Sequence, residues 1–373
     1  MVSVRPLRFL RPLLAAAALA GAAGPSRLVY IGTYTGHGGQ GIYAYRFDPA
    51  AGALTDLGLA ARSENPSFLA TDPAGTHLYA VNENARGAVS AFRIDGRGGR
   101  LIPLNQVLSG GAGPCALAVN RTGHFLFVAN YSSGSVALVP VQPDGSLSRA
   151  SAVDRHRGSS IDRQRQQGPH AHSAAFSPDD RFALSADLGT DRIYIYRFEA
   201  ARGRLVFAGY GPVEPGAGPR HLVFHPNGRF AYVIDELTDS VTQFLWKDGA
   251  LTPNGTVSAL PPGYTGPKSG AEIQVDPSGR FLYASSRGDA NDIAIFAIDA
   301  ATGRLAPLGH VSSGGRTPRH FAIDPTGRCL FAANQDSNNI AVFRIDPLTG
   351  ALTSTGESIA VPAPACVQFV PAE

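Results

Sequence analysis

The chain has 373 residues, with Lys+Arg 32 against Asp+Glu 29 and a formal net charge of +3. Arg5, Arg8 and Arg11 lie in a first segment without acidic residues, so the remaining body is near neutral and lacks the basic surface that nucleic acid as a partner would require. Gly 43 and Pro 28 supply turns for many short strands, and no stretch has the apolar spacing of a long amphipathic helix.

In chain order, residues 1–24 read as a signal peptide. Three arginines precede Leu13-Leu14-Ala15-Ala16-Ala17-Ala18-Leu19-Ala20, and the small residues Gly21-Ala22-Ala23-Gly24 follow. That is the order of charged region, apolar region and cleavage site in an exported protein, and the apolar run is too short to span a bilayer. The expectation is a periplasmic or secreted protein, with no membrane contact after cleavage. Cys115, Cys329 and Cys366 lack metal-ligand spacing and read as separate small buried residues.

From residue 25 to 373 one pattern recurs: a β-type run, a turn such as Asp276-Pro277-Ser278-Gly279-Arg280, a second apolar run and a third. The turn residues Gly75, Gly123, Asp180, Gly228, Gly279 and Gly327 are spaced 48, 57, 48, 51 and 48 residues apart. A period near 48 with several strands per copy predicts an all-β, seven-bladed β-propeller of four-stranded blades in a single domain. Six copies begin near Pro66, Pro114, Ala171, Pro219, Gly270 and Pro318. The seventh is split, so the C-terminal strand Pro364–Val370 pairs with the N-terminal strands beginning at Leu28 and closes the ring. The polar stretch from Ser151 to Gly168 accounts for the 57-residue step and reads as an extended loop over one face. A closed ring of this kind stands alone as a monomer.

In such a ring the first strand of each blade lines the channel and the second runs antiparallel to it. The start of the first and the end of the second therefore share one face. Registering the copies places Ser67, Cys115, His172, Arg220, Ala271, Arg319 and Ala365 at equivalent starts. Asn82, Asn130, Asp187, Asp235, Ser286 and Asn334 stand at the ends of the second strands. Glu83, Tyr131, Leu188, Glu236, Arg287 and Gln335 come just beyond. The framework repeats while these mouth positions vary, the mark of a site grafted on a scaffold. His170 and His221 neighbour them; Glu83 and Glu272 are second-rank carboxylates.

Guanidiniums hold carboxylate or phosphate in bidentate fashion, and histidine with glutamate can exchange protons. The mouth therefore suits a small anionic substrate. A plainer reading makes Arg220, Arg287 and Arg319 inter-blade salt-bridge partners and gives His172 only a backbone hydrogen bond. No Gly-x-Ser-x-Gly, His-Glu-x-x-His or phosphate-cradling loop is present. His170 and His172 lack a third ligand nearby, so no metal is expected.

Gly168-Pro169-His170-Ala171-His172-Ser173, Gly216-Ala217-Gly218-Pro219-Arg220-His221 and Asp235-Glu236-Leu237 resemble the lactonase family of seven-bladed propellers. That family includes bacterial 6-phosphogluconolactonases and fungal carboxy-cis,cis-muconate cyclases. The resemblance implies hydrolysis of a sugar lactone without metal or other cofactor, with His172, Glu236, Arg220 and Arg287 as the catalytic set. It leaves His170, His221, Arg319, Asn130, Tyr131, Gln335 and Glu83 as substrate-binding candidates. His172 and Glu236 remain alternatives for the general base. Lactone formation by a cyclase, and non-catalytic binding of a peptide or glycan, remain alternatives to hydrolysis.

Overall fold

The structure, a computed structural model, describes residues 26–96 and 98–371; the expected signal peptide lies outside them. Seven four-stranded antiparallel sheets form the seven blades of a propeller. Strand Pro364–Phe369 pairs with Arg27–Thr33, which continues to Gly41–Asp48 and Ala53–Arg62, so the last strand of the chain closes the ring as expected. Among the described residues no helix is long and apolar enough to cross a membrane.

The repeated turn explains the period. Asp276 and Asp324 accept hydrogen bonds from the backbone N–H groups of the strand that follows, at Arg280 and Phe281 and at Arg328 and Cys329. Asn120 does the same for His124 and Phe125. The residue three positions on must then take a left-handed backbone. Gly75, Gly123, Gly228, Gly279 and Gly327 do so with φ between 68° and 75°, where glycine carries no steric penalty. Asp180 takes the same conformation at φ 57°, and its carboxylate accepts from Arg121 N–H and Asn120 Nδ2 of the neighbouring blade.

The core lies between blades. Phe47, Phe331 and Phe369 pack edge to face with centroids 5.0–5.7 Å apart. Tyr232 and Tyr283 each donate a hydroxyl to a turn carbonyl of the next blade, Gly303 and Gly350, at 2.8 Å. Tyr79 does so to Gly145.

One sequence expectation needs correction. Ala152–Arg155 is not loop but the outermost strand of its blade, paired with Ser135–Leu138. Its residues are largely exposed, so it carries no apolar alternation by which to recognise it. Cys115, Cys329 and Cys366 are buried free thiols, as expected.

A chain ending at Ala363 leaves the edge of Arg27–Thr33 unpaired, an open template for aggregation. We expect it to lose the cooperative thermal transition of the full chain by circular dichroism. A preserved transition at unchanged temperature would show that ring closure is dispensable.

Candidate active site at the channel mouth

The inner strands are not regular at their starts. The pairing register slips between Pro114 and Ala116, Pro219 and His221, Gly270 and Ile273, and Pro318 and His320. These are β-bulges, which insert an unpaired residue and re-aim its side chain. The inserted residues include Cys115, Arg220 and Arg319, so a backbone irregularity places these side chains at the channel mouth.

A cavity of about 210 Å³ opens there, lined by Tyr34, Glu83, Cys115, Tyr131, Arg165, His172, Glu236, Arg287 and Arg319. Every blade contributes to it. His172, Glu236, Arg287, Arg319, Tyr131 and Glu83 come together as the blade register predicts. Tyr34 and Arg165 are additions. Tyr34 follows the second strand of the split blade, so carrying the register through the ring closure would have found it. Arg165 sits in the inserted loop, where no repeat applies.

Glu236 is the electrostatic centre of the site. Arg165 Nη2 donates to its Oε1 at 2.6 Å. Arg287 Nη2 and Arg220 Nε lie 2.8 and 3.1 Å from its Oε2. The Arg220 Nε–H is not directed at that oxygen, which makes this contact an ion pair without a hydrogen bond. Burial alone would raise the Glu236 carboxyl, but Arg287, Arg220 and Arg165 outweigh it and hold it down to about 2. Arg220 is fully buried and also donates to the Ala271 carbonyl. Burial, with Arg287 and Arg319 nearby, lowers it to about 10, still charged at neutral pH.

Across the cavity, Tyr34 donates its hydroxyl to Glu83 Oε2 at 2.7 Å, and Ser67 donates to the same oxygen. The Arg319 guanidinium lies over the Tyr34 ring, 5.1 Å from its centroid, and 3.8 Å from Glu83. Four guanidiniums thus face two carboxylates, leaving an excess of positive charge.

His172 is buried, and its ring packs edge to face on Tyr131 and His221, with centroids 5.4 and 5.2 Å away. Its Nδ1 is buried without a partner, so Nε2 is the nitrogen open to the cavity. Burial first, then Arg220, His221 and Arg319, hold the imidazole well below its usual 6.5. It is neutral at physiological pH.

The loop that brings Arg165 is pinned at both ends. His156 Nδ1 meets Asp187 Oδ2 at 2.6 Å with both side chains fully buried, and its ring stacks on Tyr194 at 3.5 Å. Gln166 Nε2 donates to the Leu188 carbonyl and Asp191. Asp162 Oδ1 accepts from the N–H groups of Gln164 and Arg165, fixing the turn from which the Arg165 side chain extends.

Five candidates fall outside the cavity lining, Arg220 among them, since it is buried behind Glu236. Asn130 is fully buried and donates to the Ser109 carbonyl. The ends of the second strands, Asn82, Asp187, Asp235 and Ser286 among them, are likewise tied into neighbouring chain. These polar residues recur because they close the blade, and none of them lines the cavity. Gln335 lines a separate cavity with His37 and Asp336. His170 stacks on Tyr131 at 4.4 Å, with Nδ1 3.1 Å from the Tyr131 carbonyl; it supports the lining. His221 lies beneath the cavity against Glu272. Among the described residues no group of three or more His, Cys, Asp or Glu is arranged to hold a metal ion. The larger cavity of about 430 Å³ is lined by the Asp72, Asn120 and Ser177 turns at the opposite end of the blades.

A seven-bladed ring that gathers imidazole, carboxylate and guanidinium groups at its mouth places the chain among the β-propellers, and comparison narrows the class. Residues 28–369 match the family described as "Lactonase, 7-bladed beta-propeller". A Bacillus subtilis protein named 6-phosphogluconolactonase is 38% identical over 344 residues, 91% of this chain and 97% of its own. One of the same name from Formosa agariphila is 34% identical over 82% of this chain and 89% of its own. The structure of a Pseudomonas aeruginosa periplasmic gluconolactonase superposes with a TM-score of 0.89 at 37% identity, covering 93% of this chain and 99% of that one. The chain belongs to the lactonase family of seven-bladed β-propellers, and its enzyme class is lactonase.

Glu236→Gln leaves a fully buried guanidinium without its counter-charge, and we expect it to destabilise the fold by about 3 kcal/mol in chemical denaturation. Arg165 is 41% exposed, so Arg165→Ala should cost less than about 1 kcal/mol. Equal effects of the two substitutions would contradict the burial argument.

Proposed function

We propose that the cavity at the channel mouth hydrolyses the lactone of a monosaccharide acid, with His172 as general base. The observation that carries this reading is the convergence of a neutral imidazole and several guanidiniums on one small cavity. At about 210 Å³ the cavity falls below the roughly 300–1,000 Å³ of pockets for drug-sized ligands, which sets the scale at one sugar ring.

In the proposed step, His172 Nε2 takes a proton from a water molecule as its oxygen attacks the lactone carbonyl. The carbonyl oxygen becomes an oxyanion, stabilised by guanidinium N–H groups of Arg319, Arg287 or Arg165 lining the same cavity. Collapse breaks the bond between the carbonyl carbon and the ring oxygen, and the imidazolium returns its proton to that oxygen as it leaves. The product is the open-chain hydroxy acid, whose carboxylate meets the same excess of positive charge. Glu236, its oxygens held by arginines and its carboxyl held down to about 2, is too weak a base and stays ionised; it is the anchor that orders the arginines. For the same reason it cannot deliver a proton to an alkene, which weighs against the cyclase alternative. No cofactor enters this scheme.

The excess positive charge also favours lactones that carry an anionic group. The relatives named 6-phosphogluconolactonase and the periplasmic gluconolactonase bracket the choice between a phosphorylated and a plain sugar lactone. Together with the leader-like residues 1–24, the second supports a periplasmic site of action, where a plain sugar lactone fits better.

A panel of phosphorylated and unphosphorylated sugar lactones, assayed against spontaneous hydrolysis, tests the reading. His172→Ala should lower kcat/KM by about 10²–10⁴-fold, and full turnover by that variant would overturn the assignment. The base works unprotonated and its pKa lies below the usual 6.5. Activity should therefore persist as pH falls through 6.5 and fail only well below it. Glu236, ionised down to about pH 2, adds no limb in that range. A limb centred above 6.5 would contradict the buried, neutral His172.

A further inference from the structure

Beneath the cavity the channel holds three titratable side chains that the proposed reaction does not use. His221 Nδ1 lies 2.9 Å from Glu272 Oε2, and His320 Nε2 lies 3.4 Å from the same oxygen. All three are buried. Phe68 packs edge to face on both imidazoles at 5.7 Å and walls the cluster on one side. The other charged or titratable groups near it are Arg220, Arg287, Arg319 and Glu236 toward the mouth, and Cys366 beside His320 and Glu272.

The tautomers in this column follow one from another. Val367 N–H donates to His320 Nδ1 at 3.3 Å, so that nitrogen carries the lone pair and the proton of neutral His320 is on Nε2, 3.4 Å from Glu272 Oε2 and without a hydrogen bond to it. Burial lowers His320 to about 4 and holds His221 well below 6.5, so both rings are neutral at physiological pH. Burial raises the Glu272 carboxyl while His320 and Arg220 pull it back; with Glu272 ionised, the proton of His221 belongs on Nδ1, against the carboxylate, which leaves its Nε2 as a bare lone pair. That Nε2 is buried without a partner, and so is Nδ1 of His172, whose ring is in edge-to-face contact with that of His221 at 5.2 Å. One orphan lacks a donor and the other can carry a proton. The structure shows no hydrogen bond between them; a movement of the rings to hydrogen-bond distance would satisfy both.

We infer that Glu272, oriented by His320 and acting through His221, is a positioning residue that fixes His172 in its Nδ1–H tautomer and leaves Nε2 free as the base. The arrangement extends by one imidazole the carboxylate–histidine pairing that holds a catalytic histidine in hydrolases. When His172 takes a proton at Nε2, the resulting imidazolium shares its Nδ1–H with His221, and the charge is compensated by Glu272 through that ring. No proton need leave the column. The role of the column rests on His172 being the base, but the tautomer does not.

The test is a long-range ¹H–¹⁵N correlation spectrum of the full protein labelled at histidine nitrogens, with the His172 signals assigned by their loss in His172→Ala. The result expected is protonated Nδ1 and bare Nε2 for His172, the reverse of the tautomer that free imidazole side chains prefer. In Glu272→Gln that signature should weaken. Its kcat should fall about tenfold or more, with KM little changed and the acid limb moved to lower pH, because a negative charge has been taken from the base. A wild-type spectrum with His172 protonated at Nε2 overturns the inference without any variant. So does a folded Glu272→Gln with unaltered tautomer and pH profile. Full activity in His172→Ala together with the Nδ1–H spectrum would remove the base assignment while leaving the tautomer relay in place.

Discussion

The site depends on one buried carboxylate. Glu236 would be costly to ionise where it stands, since burial opposes its charge. It is ionised because Arg220 from its own blade, Arg287 from the next and Arg165 from the inserted loop converge on its two oxygens. The buried Arg220 needs the anion as much as the anion needs it, for it has almost no contact with solvent. The cluster therefore holds together three stretches of chain far apart in sequence. It keeps guanidinium N–H groups at the cavity wall and leaves His172 as the group with a free lone pair. In the proposed reaction the roles at the mouth divide along this line, with charge fixed on one side and proton transfer on the other.

The fold was open to sequence reading because the constraint that makes blades is local. Each turn needs a side-chain acceptor at Asp276 or Asp324 and a left-handed residue three positions later, and both are visible in a single copy. The same register located Glu83, Tyr131, His172, Glu236, Arg287 and Arg319, since a ring converts equivalent positions into neighbours. It failed where the repeat itself uses polar residues. Asn82, Asn130 and Asp187 resemble site residues but serve as clamps for backbone amides and carbonyls, and nothing in their type separates the two uses. It also failed at Arg165. An arginine among Arg163, Gln164 and Gln166 has no periodic neighbour, and its reach to Glu236 depends on the Asp162 turn and on the His156–Asp187 pair, contacts that spacing cannot express. The bulges that re-aim Arg220 and Arg319 were invisible for the same reason: an inserted residue in a strand keeps the apolar alternation on either side.

Family membership and physical reading meet at the mouth but rest on different grounds. The comparisons identify a lactonase; the geometry supports where and how such a reaction would proceed. Lactone hydrolysis makes modest demands, because the ring ester is already reactive and needs an oriented water, a weak base and a place for negative charge. A low-pKa imidazole is suited to this if its conjugate acid is stabilised from behind, and in the role inferred for it the column below His172 would offer that stabilisation without adding a charge to the cavity. The opposite end of the blades offers a larger hollow, but its lining is made of turn residues whose hydrogen bonds already serve the repeat.

The central claim is that chemistry occurs at the mouth lined by His172 and the arginines. The most direct measurement is a crystal structure of the protein soaked with an aldonic acid, the open-chain product. The account predicts density in the cavity of about 210 Å³, with the carboxylate against Arg319 or Arg287 and a hydroxyl beside His172 Nε2. Density in the turn-lined cavity of about 430 Å³ at the other end, with the mouth empty, would contradict it.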